Sequence, residues 1–149
     1  MKYKTLRWYI SVLFSVLVVL MVVSGGCTGG TIESPTAITQ INRDVSPVEA
    51  HDLILENQDN EQFVILDVRT PEEFADGHIE NAVNIDVNSD QFREDISKLH
   101  KNDTYLVYCR SGRRSDNARD IMEELGFSDV YNMTGGIIDW ENEGYPVVK

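Results

Sequence analysis

Beyond residue 40 the spacing of apolar positions changes repeatedly, and each change marks an element. Ser46-Pro47-Val48-Glu49 places a serine and a glutamate three residues apart around a proline, a capping box that predicts a helix to about Glu56. Phe63-Val64-Ile65-Leu66 is a continuous apolar run ending in Asp67, the pattern of a strand buried on both faces. Thr70-Pro71-Glu72-Glu73 repeats the capping logic, and Gly77 closes that brief helix. Ala82 to Ile85 reads as a strand, and Phe92, Ile96 and Leu99, spaced i, i+4, i+7, as a helix face. Tyr105-Leu106-Val107-Tyr108 is a further buried strand. Ala118, Ile121, Met122 and Leu125 then mark a helix face that Gly126 terminates. A strand near Asp129 to Asn132 and a short helix around Ile137 to Glu143 finish the chain. Strands alternating with helices predict an α/β fold, a parallel sheet covered on both faces.

The first 40 residues follow other rules. Lys2, Lys4 and Arg7 precede an apolar run from Ile10 to Val23, and no acid occurs before Val23. That run of 14 residues suits the h-region of a signal peptide better than a membrane span, which needs about 20. Ser24-Gly25-Gly26-Cys27 follows it and resembles the cleavage and lipidation site of prokaryotic lipoproteins, with Ser24 where a branched aliphatic is usual. The reading is a signal peptide over residues 1–26 and a lipidated Cys27. A flexible tether rich in Gly, Thr, Ser and Pro then spans 27–40, ahead of one domain over 41–149. The alternative is an uncleaved anchor helix from roughly Leu6 to Val23. Either way the expectation is an extracytoplasmic domain held at the membrane.

Charge narrows the partners. The chain carries 13 Lys and Arg against 25 Asp and Glu, and loss of residues 1–26 would leave ten cations and 25 acids, a net charge of −15. Nucleic acid is an unsuitable partner for such a surface, because its affinity comes largely from cations that release phosphate counterions. With Cys27 acylated, Cys109 would be the sole free thiol, so no disulfide scaffold is expected. No metal-ligand spacing and no cofactor motif occurs.

Against this acidic background, Tyr108-Cys109-Arg110-Ser111-Gly112-Arg113-Arg114-Ser115 gathers three arginines around one cysteine. Cys109 falls at the carboxyl end of a predicted central strand and the loop 110–114 leads into a helix N-terminus, where open α/β sheets place ligands. Backbone N–H groups, the helix dipole and the arginines all favour a thiolate there, and the thiolate is the nucleophile.

Four separated blocks, "ILDVRTPEEFADGHIENAVNI" (65–85), "YCRSGRRS" (108–115), "LGF" (125–127) and "GGIIDW" (135–140), resemble in order and spacing the rhodanese, or single-domain sulfurtransferase, family. The resemblance implies a five-stranded parallel sheet with helices on both faces. It implies that Cys109 takes a sulfane sulfur from a small anionic donor such as thiosulfate, as a persulfide, and passes it to cyanide, a thiol or a protein acceptor. Cys109 through Arg114, a six-residue loop including Arg110, Ser111, Gly112 and Arg113, would be the cradle. Related phosphatases carry a longer loop, cysteine-x5-arginine, whereas here Ser115 stands six places after the cysteine and Arg114 five.

Duller roles compete at several positions. Asp67 and Arg69 either touch substrate or, as the reading favours, form an ion pair that supports the loop, with Ser115 as a further supporting residue. His78 reads as a hydrogen-bonded turn residue and Trp140 as core, and His51 and His100 have no partner that the sequence reveals. Two other functions stay open: a non-catalytic rhodanese-like module that binds proteins at the membrane surface, and a phosphatase or arsenate reductase.

Overall fold

A computed structural model describes residues 41–149, and within them both capping boxes form. Ser46 Oγ accepts from the Glu49 N–H at 3.3 Å while the Glu49 carboxylate accepts from the Ser46 N–H at 2.8 Å, which opens α1 (Pro47–Glu56). Thr70 and Glu73 make the same exchange, at 3.3 Å in each direction, and open α2 (Pro71–Asp76). In each case two helix-end N–H groups that would lack partners acquire them from side chains. The predicted signal peptide, Cys27 and the tether lie outside the described residues. Among those described, no helix is long and apolar enough to cross a membrane.

Five strands form an all-parallel sheet: β1 (Ile41–Val45), β2 (Phe63–Asp67), β3 (Val83–Asn84), β4 (Thr104–Tyr108) and β5 (Asp129–Met133), in the order β1-β5-β4-β2-β3. The remaining helices are α3 (Phe92–Ser97), α4 (Arg113–Glu124) and α5 (Gly136–Asn142). Tyr105, Val107 and Cys109 point from β4 and its end into a cluster with Phe92, Ile96, Ala118 and Met122, from α3 and α4. Leu106 and Tyr108, the alternate residues, pack with Ala50, Ile137 and Trp140, from α1 and α5. Both faces of β4 are therefore dry, which is why its sequence reads as an unbroken apolar run rather than an alternation.

Three expectations shift. Strand β1 was not foreseen from the apolar pattern, because at the sheet edge Arg43 and Asp44 are exposed and Val45 is its one buried apolar residue among the side chains described. The strand expected over Ala82 to Ile85 shrinks to two residues, Val83 and Asn84, paired with Leu66 and Asp67 at the opposite edge. Helix α3 stops at Ser97, so Leu99 packs on the core from the following turn instead of extending the helix face. Gly126 does end α4: at φ +86° it passes its N–H to the Glu123 carbonyl, and the Phe127 N–H reaches the Met122 carbonyl at 3.1 Å. This left-handed stop turns the fully buried Phe127 back onto the core, edge-on to Tyr105, and explains the Leu-Gly-Phe block.

Candidate active site

Strand β4 delivers Cys109 to the carboxyl edge of the sheet, and α4 begins four residues later at Arg113. The chain turns between them at Gly112, whose φ of +93° suits glycine. Its N–H points inward and donates to Cys109 Sγ at 3.2 Å. Ser115, fully buried in the first turn of α4, sets its hydroxyl 3.5 Å from the same sulfur and 2.9 Å from the Gly112 carbonyl. One hydroxyl proton serves both, so ionisation of the thiol would draw it toward sulfur.

Burial pushes the Cys109 thiol up. The Ser115 hydroxyl, then the amides of Ser115, Ser111 and Gly112, more than offset this and hold it below its ordinary value. Backbone dipoles at a helix start thus stabilise the thiolate more directly than the arginine cluster does. Arg110 and Arg113 are exposed and form no ion pair among the described residues. Arg114 is engaged by α2 as well: its two terminal nitrogens each donate to the Glu73 carboxylate at 2.8 Å. The sulfur is thus cradled by amides and one hydroxyl, with Arg110 and Arg113 exposed in the loop and Arg114 shared between Glu73 and Cys109.

The loop keeps its amides inward because its carbonyls are taken from outside. Cys109 O accepts from the Ile137 N–H at 2.9 Å and Arg110 O from the Ile138 N–H at 3.3 Å, at the start of α5. This contact needs glycine: a Cβ on Gly136, at φ +60°, would stand 2.4 Å from Cys109 O and 2.6 Å from the Arg110 carbonyl carbon. Backbone meets backbone there, and neither can rotate away. Gly136→Ala is expected to cost about 2 to 3 kcal/mol in urea unfolding, combining left-handed strain with overpacking, and to lower Cys109 reactivity more than unfolding alone explains.

Asp67 and Arg69 meet as a buried ion pair, Arg69 Nη2 to Asp67 Oδ2 at 2.6 Å, with Nη2 also donating to the Gly77 carbonyl at 2.7 Å. Burial depresses the Arg69 pKa, but the Asp67 hydrogen bonds and charge outweigh it and leave the pKa raised. Arg69 also lies over the Tyr108 ring, 5.6 Å from its centre, so the pair braces the residue before Cys109 rather than facing the loop. His78 Nδ1 lies 3.0 Å from the Phe74 carbonyl and its ring stacks on Phe74, a turn role. His51 stacks on Tyr145, and Trp140 is buried with its indole N–H on the Pro146 carbonyl. Among the described residues no cluster of ligating side chains could hold a metal. Sequence reasoning missed Glu73 as a loop partner, since its capping role already accounted for it. It also missed why Gly135-Gly136 opens α5.

Removing the Ser115 hydroxyl isolates its share. Alkylation of Cys109 by iodoacetamide should rise with pH through a midpoint below that of the unfolded chain. In Ser115→Ala the midpoint should move up and the rate at neutral pH fall roughly five-fold, as loss of one hydrogen bond of about 1 kcal/mol implies. An unmoved pH profile would assign stabilisation of the thiolate to the amides alone.

Comparison with known proteins agrees with this geometry. The family model of the rhodanese-like domain matches residues 50–143. A sulfurtransferase of Allochromatium vinosum is 34% identical over 104 residues, covering 70% of this chain and 95% of that protein. The thiosulfate sulfurtransferase PspE of Escherichia coli is 39% identical over 74 residues, 50% of this chain and 70% of that one. Among solved structures, a rhodanese-related protein of Thermoplasma volcanium superposes with a TM-score of 0.59 at 35% identity, covering 71% of this chain and 97% of its own.

Proposed function

We propose, from the premise that this chain belongs to the rhodanese-like domain family, that it is a sulfurtransferase working through a persulfide on Cys109. The observation that carries the reading is the sulfur itself, held by inward amides and the Ser115 hydroxyl with its thiol pKa lowered. The Cys109 thiolate attacks the outer sulfur of a donor such as thiosulfate. A bond forms from Sγ to that sulfur, and sulfite departs with the electron pair of the broken S–S bond. The same amides then face a persulfide anion. An acceptor nucleophile, cyanide or a thiolate, attacks the outer sulfur, and Sγ leaves as the thiolate that began the cycle. Arg110 and Arg113, exposed in the loop, would attract the anionic remainder of the donor.

Mass spectrometry after incubation with thiosulfate tests this. A gain of one sulfur on Cys109, lost on addition of cyanide, supports transfer. A second reading, a protein-binding module, draws on one observation: Cys109 is only 1% exposed. An unmodified thiol with every donor tried would favour it.

For location, export with lipidation at Cys27 is the reading the leader supports. Two acyl chains bind a membrane stably where one is marginal, at about 0.8 kcal/mol per buried CH₂. Cys27→Ala should accordingly leave the membrane fraction, and its recovery there at an unchanged level would point to an uncleaved helix.

A further inference from the structure

Arg114 stands one place short of the arginine of the cysteine-x5-arginine loop, and the end-on fork of its guanidinium is already filled. Nη1 and Nη2 donate to Glu73 Oε2 and Oε1, both at 2.8 Å. The carboxylate is itself fixed, since Oε2 accepts from the Thr70 N–H and the Glu73 N–H returns to Thr70 Oγ1. The start of α2 therefore holds the acid in place rather than leaving it to swing. The two side chains are 26% and 30% exposed, sheltered but still reachable by an anion entering the loop. Arg114 also feels the sulfur: after Glu73, the Cys109 thiolate reinforces its charge. The guanidinium thus has carboxylate on one side and the reactive centre near it.

An arginine whose two-pronged face is free, beside inward amides at a helix start, is a strong bidentate binder of phosphate and its analogues. Here a carboxylate of matching geometry takes that face. We propose that Glu73 is a specificity-determining residue, occupying the Arg114 fork so that the loop accepts one sulfur on Cys109 and turns away phosphate-, sulfate- and arsenate-type dianions. Thiosulfate escapes this exclusion because it presents its outer sulfur to Sγ, with its sulfonate left outward, toward the exposed Arg110 and Arg113. The inference rests on the sulfurtransferase reading for what enters the loop, but not for what is kept out.

The test reads protection of Cys109 from iodoacetamide by inorganic phosphate and by arsenate, which needs no sulfur transfer. Glu73→Gln removes the charge while keeping a residue that serves at the third capping-box position, so the start of α2 survives. Phosphate should protect this variant at concentrations at least about ten-fold lower than the native protein requires. The double variant Glu73→Gln with Arg114→Gln should lose that gain. Unchanged protection in Glu73→Gln would show that loop size alone excludes oxyanions and would overturn the proposal. A gain that persists in the double variant would also overturn it, since the effect would then be general repulsion by an acid. Persulfide formation from thiosulfate, measured in parallel, separates the two ideas: its absence would sink the sulfurtransferase reading and leave the phosphate comparison standing.

Discussion

Cys109→Ser should abolish sulfur transfer to the level of buffer while the protein unfolds at nearly the native urea concentration. Sγ lies in a cluster of fully or almost fully buried residues, so only a side chain of nearly the same shape can replace it without opening a cavity. Serine meets that need and can still receive the Gly112 N–H. What it lacks is a low pKa and the capacity to hold a second sulfur, because a hydroxyl at this position remains protonated and forms no stable S–O analogue of the persulfide. The expected loss is complete rather than graded. More than trace turnover in a sample free of native protein would place the nucleophile elsewhere. A large fall in the unfolding midpoint would mean instead that the thiol itself holds the loop.

The largest expected effect on stability lies one strand away. Asp67→Asn keeps the volume of a side chain with no exposed surface but removes the charge that compensates Arg69. Breaking a buried ion pair from one side leaves the other charge without its partner, and the cost is about 3 to 5 kcal/mol, with asparagine near the lower figure because its amide oxygen still accepts. Replacing both residues by apolar ones of similar size should recover part of that loss, although the Arg69 bond to the Gly77 carbonyl would go too. Urea unfolding of the two variants, compared at equal slope, checks both expectations. If Asp67→Asn costs less than about 1 kcal/mol, water reaches the pair and its bracing of Tyr108 is weak.

How much of this was legible follows from where each residue's constraint lies. β4 was readable because being buried on both faces demands four consecutive residues, Tyr105 to Tyr108, that tolerate it, and local composition records that demand. β1 was not, since an edge strand buries few side chains and its pairing with β5, Ile41 opposite Asp129, is a contact between distant parts of the chain. The capping boxes were readable because they close within four residues. Glu73 shows the limit of that reading: its local bond to Thr70 is written in the sequence, while its bond to Arg114, 41 residues on, follows only from the way β2 and β4 lie side by side. Cys109 and its loop could be singled out from an unusual concentration of cations. The fold then assigns the chemistry differently, to amides that every sequence possesses and only a particular backbone can aim. Gly136 marks that aim, for its missing side chain lets α5 hold the loop's carbonyls outward.

The depth of Cys109 also governs how the chain meets oxidants. A disulfide requires two Cα atoms within about 7 Å, and a sulfur 1% exposed beneath its own loop offers no approach to a cysteine on another molecule. Among the described residues it has no cysteine of its own chain to join. A cysteine on the surface of another protein molecule therefore finds this thiolate activated yet out of reach. Small reagents, by contrast, can enter, so the domain can keep a reactive sulfur in oxidising surroundings without becoming a covalent dimer.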